Sequence, residues 1–177
     1  MLRSPQMVFK NLKPQIAGAI KESCYSSEVR LYNIAHAVND IKTFGFVYGA
    51  ESVQDLSKIV DQTINASVGV GCDLSVVVKG IFLGAFRASP FDRSQTDKTF
   101  RLLIGTILEP IFRYNGDILQ TIGGILSASL MISKEYKLNS VEFQEIAKKE
   151  IIFSAQALNA KFADDIKGAL LNSDDLL

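Results

Sequence analysis

The sequence has few of the residues that most often build metal, redox and catalytic sites. It contains one histidine, two cysteines and no tryptophan. A lone His36 excludes a histidine-rich metal centre, and the absence of any Glu-x-x-His pair removes the usual signature of a di-metal helical bundle. Cys24 and Cys72 lack a CxxC spacing, so neither a zinc site nor a redox pair is indicated. We expect two buried thiols, although one disulfide between them also fits the sequence.

An excess of charge of one sign is missing as well. Lys and Arg total 19 and so do Asp and Glu, so no global field attracts nucleic acid or an anionic membrane. Basic residues are scattered and not interleaved with aromatic ones, so we expect no nucleic-acid partner. Phosphate-binding loops, nucleophile elbows and calcium-loop spacings are absent too. The sequence therefore favours a protein without enzymatic activity and with no cofactor. An enzyme assembled from residues distant in sequence stays open.

Long hydrophobic runs are also lacking. No window of about 18 uninterrupted apolar residues occurs, so we expect no transmembrane segment. The first 21 residues are mildly basic, with no acid before Glu22. Pro5 and Pro14 interrupt this stretch and no apolar core follows it, so a secretory signal is not indicated. These features favour a cytoplasmic location.

Hydrophobic residues make up 47% of the chain and recur with the period of a helix. Segments 28–45, 52–68 and 140–162 each place apolar residues on one face. Ser52 and Ser140 are predicted to cap the second and third of these helices. His36 falls on the less apolar face of the first helix, where a structural role is expected.

Segment 100–116 is predicted to bend or end at Pro110, because proline removes one helical hydrogen bond. Glu109 and Arg113 are four residues apart and are expected to pair on its outer face. The acids Glu142, Glu145 and Glu150, on the predicted helix at 140–162, are interpreted as part of a solvated face.

Two further helices, predicted at 74–88 and 118–133, begin behind Asp73 and Asp117 and are apolar nearly all the way round. Such helices need cover on every side. The β-branched run at 76–78 would also suit a strand, but it shows no alternation and no hairpin turn.

Small residues recur at intervals of four on these two helices, which gives each a groove that another backbone can approach closely. They are Gly80, Gly84 and Ala88 on the first helix, and Gly124 and Ala128 on the second. The two helices are then either the centre of a helical bundle, an interface between copies of the chain, or a lipid-contacting surface.

A shift of 44 residues superposes Asp73 on Asp117 and Gly80 on Gly124, together with several apolar positions. A duplicated helical hairpin, made of an amphipathic helix, a tight acidic turn and an apolar helix, is one explanation. Chance similarity between amphipathic helices is the other.

We therefore predict an all-α protein, a single-domain bundle of about seven helices over residues 1–177, with flexible ends at 1–13 and 172–177. The predicted function is that of a non-enzymatic interaction or scaffold protein. It self-associates as a homo-oligomer through the small-residue helix faces.

Two alternatives place the same apolar helices in other surroundings. In the first, the protein carries an apolar small molecule or lipid in a pocket lined by Val77, Ile81 and Leu126. In the second, it is a peripheral membrane protein that uses its basic N-terminal segment.

Overall fold

A computed structural model describes residues 52–69, 71–87 and 96–173. These residues form six α-helices and no strand, which confirms the all-α prediction for this part of the chain. The helices are α1 (Ser52–Gly69), α2 (Leu74–Arg87), α3 (Thr96–Tyr114), α4 (Ile118–Glu135), α5 (Ser140–Leu158) and α6 (Ala160–Ser173). All six contribute to one hydrophobic core. The helix predicted at 28–45 lies outside the described residues, so the count of seven stays a prediction.

The two most extensive helix contacts join second neighbours along the chain, and the consecutive pairs α5 with α6 and α4 with α5 come next. The most extensive pair is α2 with α4, followed by α3 with α5, and α1 also packs on α3. The two helices of each predicted hairpin, α1 with α2 and α3 with α4, contact each other much less. The predicted hairpins therefore pack against each other rather than each closing on itself.

Three of the interhelical turns share one local geometry. A residue with positive φ ends the helix, and the next residue donates its N–H to a carbonyl five positions back. The positive φ values belong to Gly71 (67°), Asn115 (52°) and Lys137 (55°). The backbone bonds run from Cys72 to Ser67 (2.9 Å), from Gly116 to Ile111 (2.9 Å) and from Leu138 to Ser133 (2.8 Å).

The residue after each of these turns caps the following helix. Carboxylate oxygens of Asp73 and Asp117 accept hydrogen bonds from backbone N–H groups at the starts of α2 and α4, at 2.9 Å in both cases, as predicted. The prediction for α5 was wrong by one position, because the side chain of Asn139 is the cap. The hydroxyl of Ser140 is instead 2.8 Å from that of Ser133.

The helix starts repeat at the predicted offset. Helices α1 and α3 begin at residues 52 and 96, and α2 and α4 begin at 74 and 118, so both intervals are 44 residues. The turn before α5 has the same form without belonging to that offset, so turn geometry alone is no sign of duplication. A duplicated hairpin stays a prediction.

The segment predicted as one helix over 140–162 is broken at Asn159. This residue has an extended backbone (φ −165°, ψ 138°) that ends α5. Its side-chain oxygen accepts the N–H of Phe162 at 3.2 Å, which helps to start α6. A residue that can both end one helix and cap the next therefore separates two helices within one apolar pattern.

An aromatic cluster joins α2, α3 and α5 in the core. The ring of Phe100 lies 4.5 Å from that of Phe143 and 4.8 Å from that of Phe82, centroid to centroid, and Phe86 is 6.1 Å away. Each such pair adds about 0.5–1.5 kcal/mol beyond the area it buries. The sequence pattern did not single out Phe100, which lies at the centre of this cluster.

Helices α4 and α2 approach each other closely at Gly124. A Cβ atom on this residue would lie 2.7 Å from the carbonyl oxygen of Ser75 and 2.9 Å from the Cβ of Val78. Near this crossing, the N–H of Leu74 donates to the side-chain oxygen of Gln120 at 2.8 Å, so α4 also supplies a cap for α2. Only glycine permits this separation of the two backbones.

Gly124→Ala is expected to lower the free energy of unfolding by about 1–3 kcal/mol, because the new methyl group meets fixed backbone atoms. Gly123→Ala is the matched control, since nothing lies within 4 Å of a Cβ at this exposed position. We expect it to be neutral or to stabilise by up to about 1 kcal/mol through helix propensity. Urea denaturation followed by circular dichroism measures both changes. Equal effects of the two substitutions would show that α2 does not limit the space at Gly124.

Candidate functional site

The residues predicted to line an apolar pocket are part of the closed core. Val77 and Ile81 are fully buried and Leu126 is 2% exposed. The two grooves described below are lined by other residues. A carrier site at these three positions stays a prediction.

Of the residues predicted to form an interface, Gly80, Gly124 and Ala128 are buried within the chain. Gly84 belongs to α2, and Ala88 lies outside the described residues. The face of α4 around Gly124 is covered by α2 of the same chain. A second copy could reach Gly124 only if α2 moved away from it.

A polar groove of about 490 Å³ lies between α1, α3 and α5. Its walls carry three basic side chains (Lys58, Arg101 and Arg113) and three acidic ones (Asp61, Glu109 and Glu150). These charges balance, so the groove as a whole does not select for an anion or a cation.

Arg113 holds one end of the groove together. Its guanidinium donates to Asp61 of α1 at 2.9 Å and to Glu109 one helical turn away, which confirms the predicted pair. The hydroxyl of Tyr114 donates to the second oxygen of Asp61 at 3.2 Å. Hydrogen bonding to Tyr114, and then the charges of Asp61 and Glu109, raise the pKa of Arg113 against some desolvation. These contacts favour the charged form of a guanidinium that is already protonated at ordinary pH.

Glu150 lies at the other end of the polar groove. The prediction that this residue is on a solvated face was wrong. Its side chain is 13% exposed and accepts from Arg101 of α3 at 2.9 Å and from the hydroxyl of Ser154 at 3.2 Å. The apolar period of α5 places Glu150 at the edge of the buried face of this helix. Helix α3 packs beside that edge, so Glu150 lines the groove between the two helices. Glu150 therefore connects α3 and α5.

Pro110 forms part of the groove floor without ending α3, which continues to Tyr114. It is buried, and it has no N–H to donate to the carbonyl of Thr106 one turn earlier. The hydroxyl of Thr106 donates to the Leu102 carbonyl at 2.7 Å. Helix α3 therefore does not end at Pro110, and a bend at this position stays a prediction.

A second groove of about 380 Å³ lies where the turn between α3 and α4 meets α6. The rings of Phe112 and Phe162 are 5.1 Å apart in its wall. Phe112 is 40% exposed, whereas Phe162 is largely buried. This groove therefore has an apolar wall that is open to solvent.

The outer face of α5 carries a regular row of exposed residues, which we call the α5 ridge: Val141, Glu145, Lys149 and Phe153. Val141 is 72% exposed and Phe153 is 66% exposed. Within the described residues, neither Glu145 nor Lys149 is in an ion pair. The sequence interpretation placed Glu145 on a solvated face, which its exposure confirms, but it did not single out Val141 and Phe153.

Among the described helices, none has the length and apolar character needed to cross a membrane. In the same part of the chain, no three His, Cys, Asp or Glu side chains are grouped so that they could hold a metal ion. Cys72 is buried, as expected, whereas Cys24 and His36 lie outside the described residues.

The two ends of the polar groove are expected to respond differently to substitution. Glu150→Gln should lower the free energy of unfolding by about 1 kcal/mol, because the carboxylate is shielded and accepts two hydrogen bonds. Arg113→Gln should cost no more than about 0.5 kcal/mol, since its side chain is 50% exposed. Urea titrations at low and high salt measure both. A larger and more salt-sensitive loss for Arg113→Gln would contradict this ranking.

No protein-family model matches the chain, and no curated protein matches it either.

Proposed function

We propose that this chain is a non-enzymatic helical interaction protein that associates with further copies of itself. One observation carries the proposal: large apolar side chains stay exposed on the outer helix faces although the core is closed. The most exposed are Leu119 (56%), Val141 (72%), Phe153 (66%) and Leu171 (75%).

Most of the surface of each of these side chains lies outside the core of a single chain. Fully burying a side chain of this size stabilises an assembly by about 1.5–3 kcal/mol. Single exposed apolar residues are ordinary on any protein surface. Val141 and Phe153, however, lie on the same ridge of α5, where one contacting helix could cover both.

The sequence suggested that the small-residue faces join two copies of the chain. In the structure, the small residues of α4 serve packing within one chain instead. Gly124 and Ala128 are buried inside the chain, and Gly124 contacts α2. This contact buries part of the apolar surface of α2. We therefore assign self-association to outer faces. A cytoplasmic location belongs to the same proposal.

Sedimentation velocity over a concentration series tests the function. We expect the weight-average sedimentation coefficient to rise with concentration, because association follows mass action. A single monomeric species at every concentration would overturn the proposal. Native mass spectrometry adds a second outcome: non-protein mass retained on a monomer would replace self-association with the carrier alternative.

A further inference from the structure

We propose that the α5 ridge binds the α5 ridge of a second copy in antiparallel orientation, around a two-fold axis level with position 147. This inference rests on the proposed self-association and identifies its surface. The occupant is a second copy because the ridge is complementary to itself in both charge and apolar character.

The complementarity follows from the positions of the four residues. Glu145 and Lys149 are equally far from position 147, and so are Val141 and Phe153. When two such ridges run in opposite directions about that point, Glu145 faces Lys149 of the second copy, and the reverse holds. Val141 likewise faces Phe153 of the second copy. One symmetric contact thus contains two opposite-charge pairs, flanked on each side by an apolar pair.

Helix geometry allows this contact. Residues four apart form the ridge that the commonest class of helix packing uses, with axes crossing at about 50°. The ridge spans about 18 Å, given a rise of 1.5 Å per residue. Helix α5 runs from Ser140 to Leu158, so the whole ridge lies on continuous helix.

The two charged residues are available for the contact. Both are exposed, and in the described part of the chain neither forms an ion pair, not even with the other one turn away. A carboxylate at the centre of the ridge would be repelled by an anionic vesicle surface, whereas the same carboxylate finds a lysine on an antiparallel copy. Charge therefore favours a second copy over a membrane.

The size of the contact sets its strength. One helix from each copy buries less than the roughly 1,200 Å² typical of stable interfaces. The dimer should therefore be weak and dependent on concentration rather than obligate.

Charge reversal tests the register directly. Glu145→Lys alone and Lys149→Glu alone each replace two attractive pairs with two repulsive ones, so each should weaken self-association about tenfold in Kd. The double variant Glu145→Lys/Lys149→Glu restores both pairs and should recover near wild-type association. A mixture of the two single variants should form a heterodimer more tightly than either variant pairs with itself.

Lys161→Glu on α6 is the matched control, since it reverses an exposed charge away from the ridge and should leave association unchanged. Circular dichroism checks that each variant keeps its helix content. If the wild-type protein associates but the single variants do so equally well, the α5 ridge is not the interface while the proposed function stands. Failure of both the double variant and the mixture to recover association would overturn the antiparallel register. A wild-type protein that never associates would overturn the function as well.

Discussion

The arrangement of the bundle depends on the close approach of α4 to α2 at Gly124, where a single methyl group would meet the backbone of Ser75. Both helices are apolar on almost every side in sequence, so packing them against each other removes much apolar area from water, although α4 keeps Leu119 exposed on its outer side. Pressed together, they form a central pair. Helices α1 and α3 cover α2, and α3, α5 and α6 cover α4. The remaining helices can then be amphipathic, with polar faces left for other contacts.

The residues that pack the helices together inside the chain are therefore different from those on the outer faces that are free for contact with another molecule. Small residues serve the interior, because only they allow two backbones to come so near. The polar groove ties α3 to α1 through Arg113 and to α5 through Glu150, and its balanced charges hold the outer helices in position. The outer face of α5 stays exposed, with apolar residues at both ends and opposite charges in the middle.

Much of this fold could be predicted from local sequence, because helix period and caps are local properties. The buried stripe of α1, which includes Val60 and Ile64, and the caps Asp73 and Asp117 follow from spacing alone. The position of Glu150 could not be predicted, since periodicity gives the angle of a side chain on its helix but not the neighbour it meets. The four residues of the α5 ridge could have been found from their spacing in the sequence. The exposure of this ridge, however, depends on which face of α5 the other helices cover.

The hydrogen bond from Leu74 to Gln120 has a consequence for how the chain is made. The start of α2 is completed by a side chain 46 residues further along. At typical synthesis rates of about 5–20 residues per second, that side chain leaves the ribosome roughly 2–9 s later. During this interval α2 lacks both its distant cap and its principal packing partner. The most apolar of the six described helices therefore leaves the ribosome before the helix that covers it, and during this interval its apolar surface is open to aggregation.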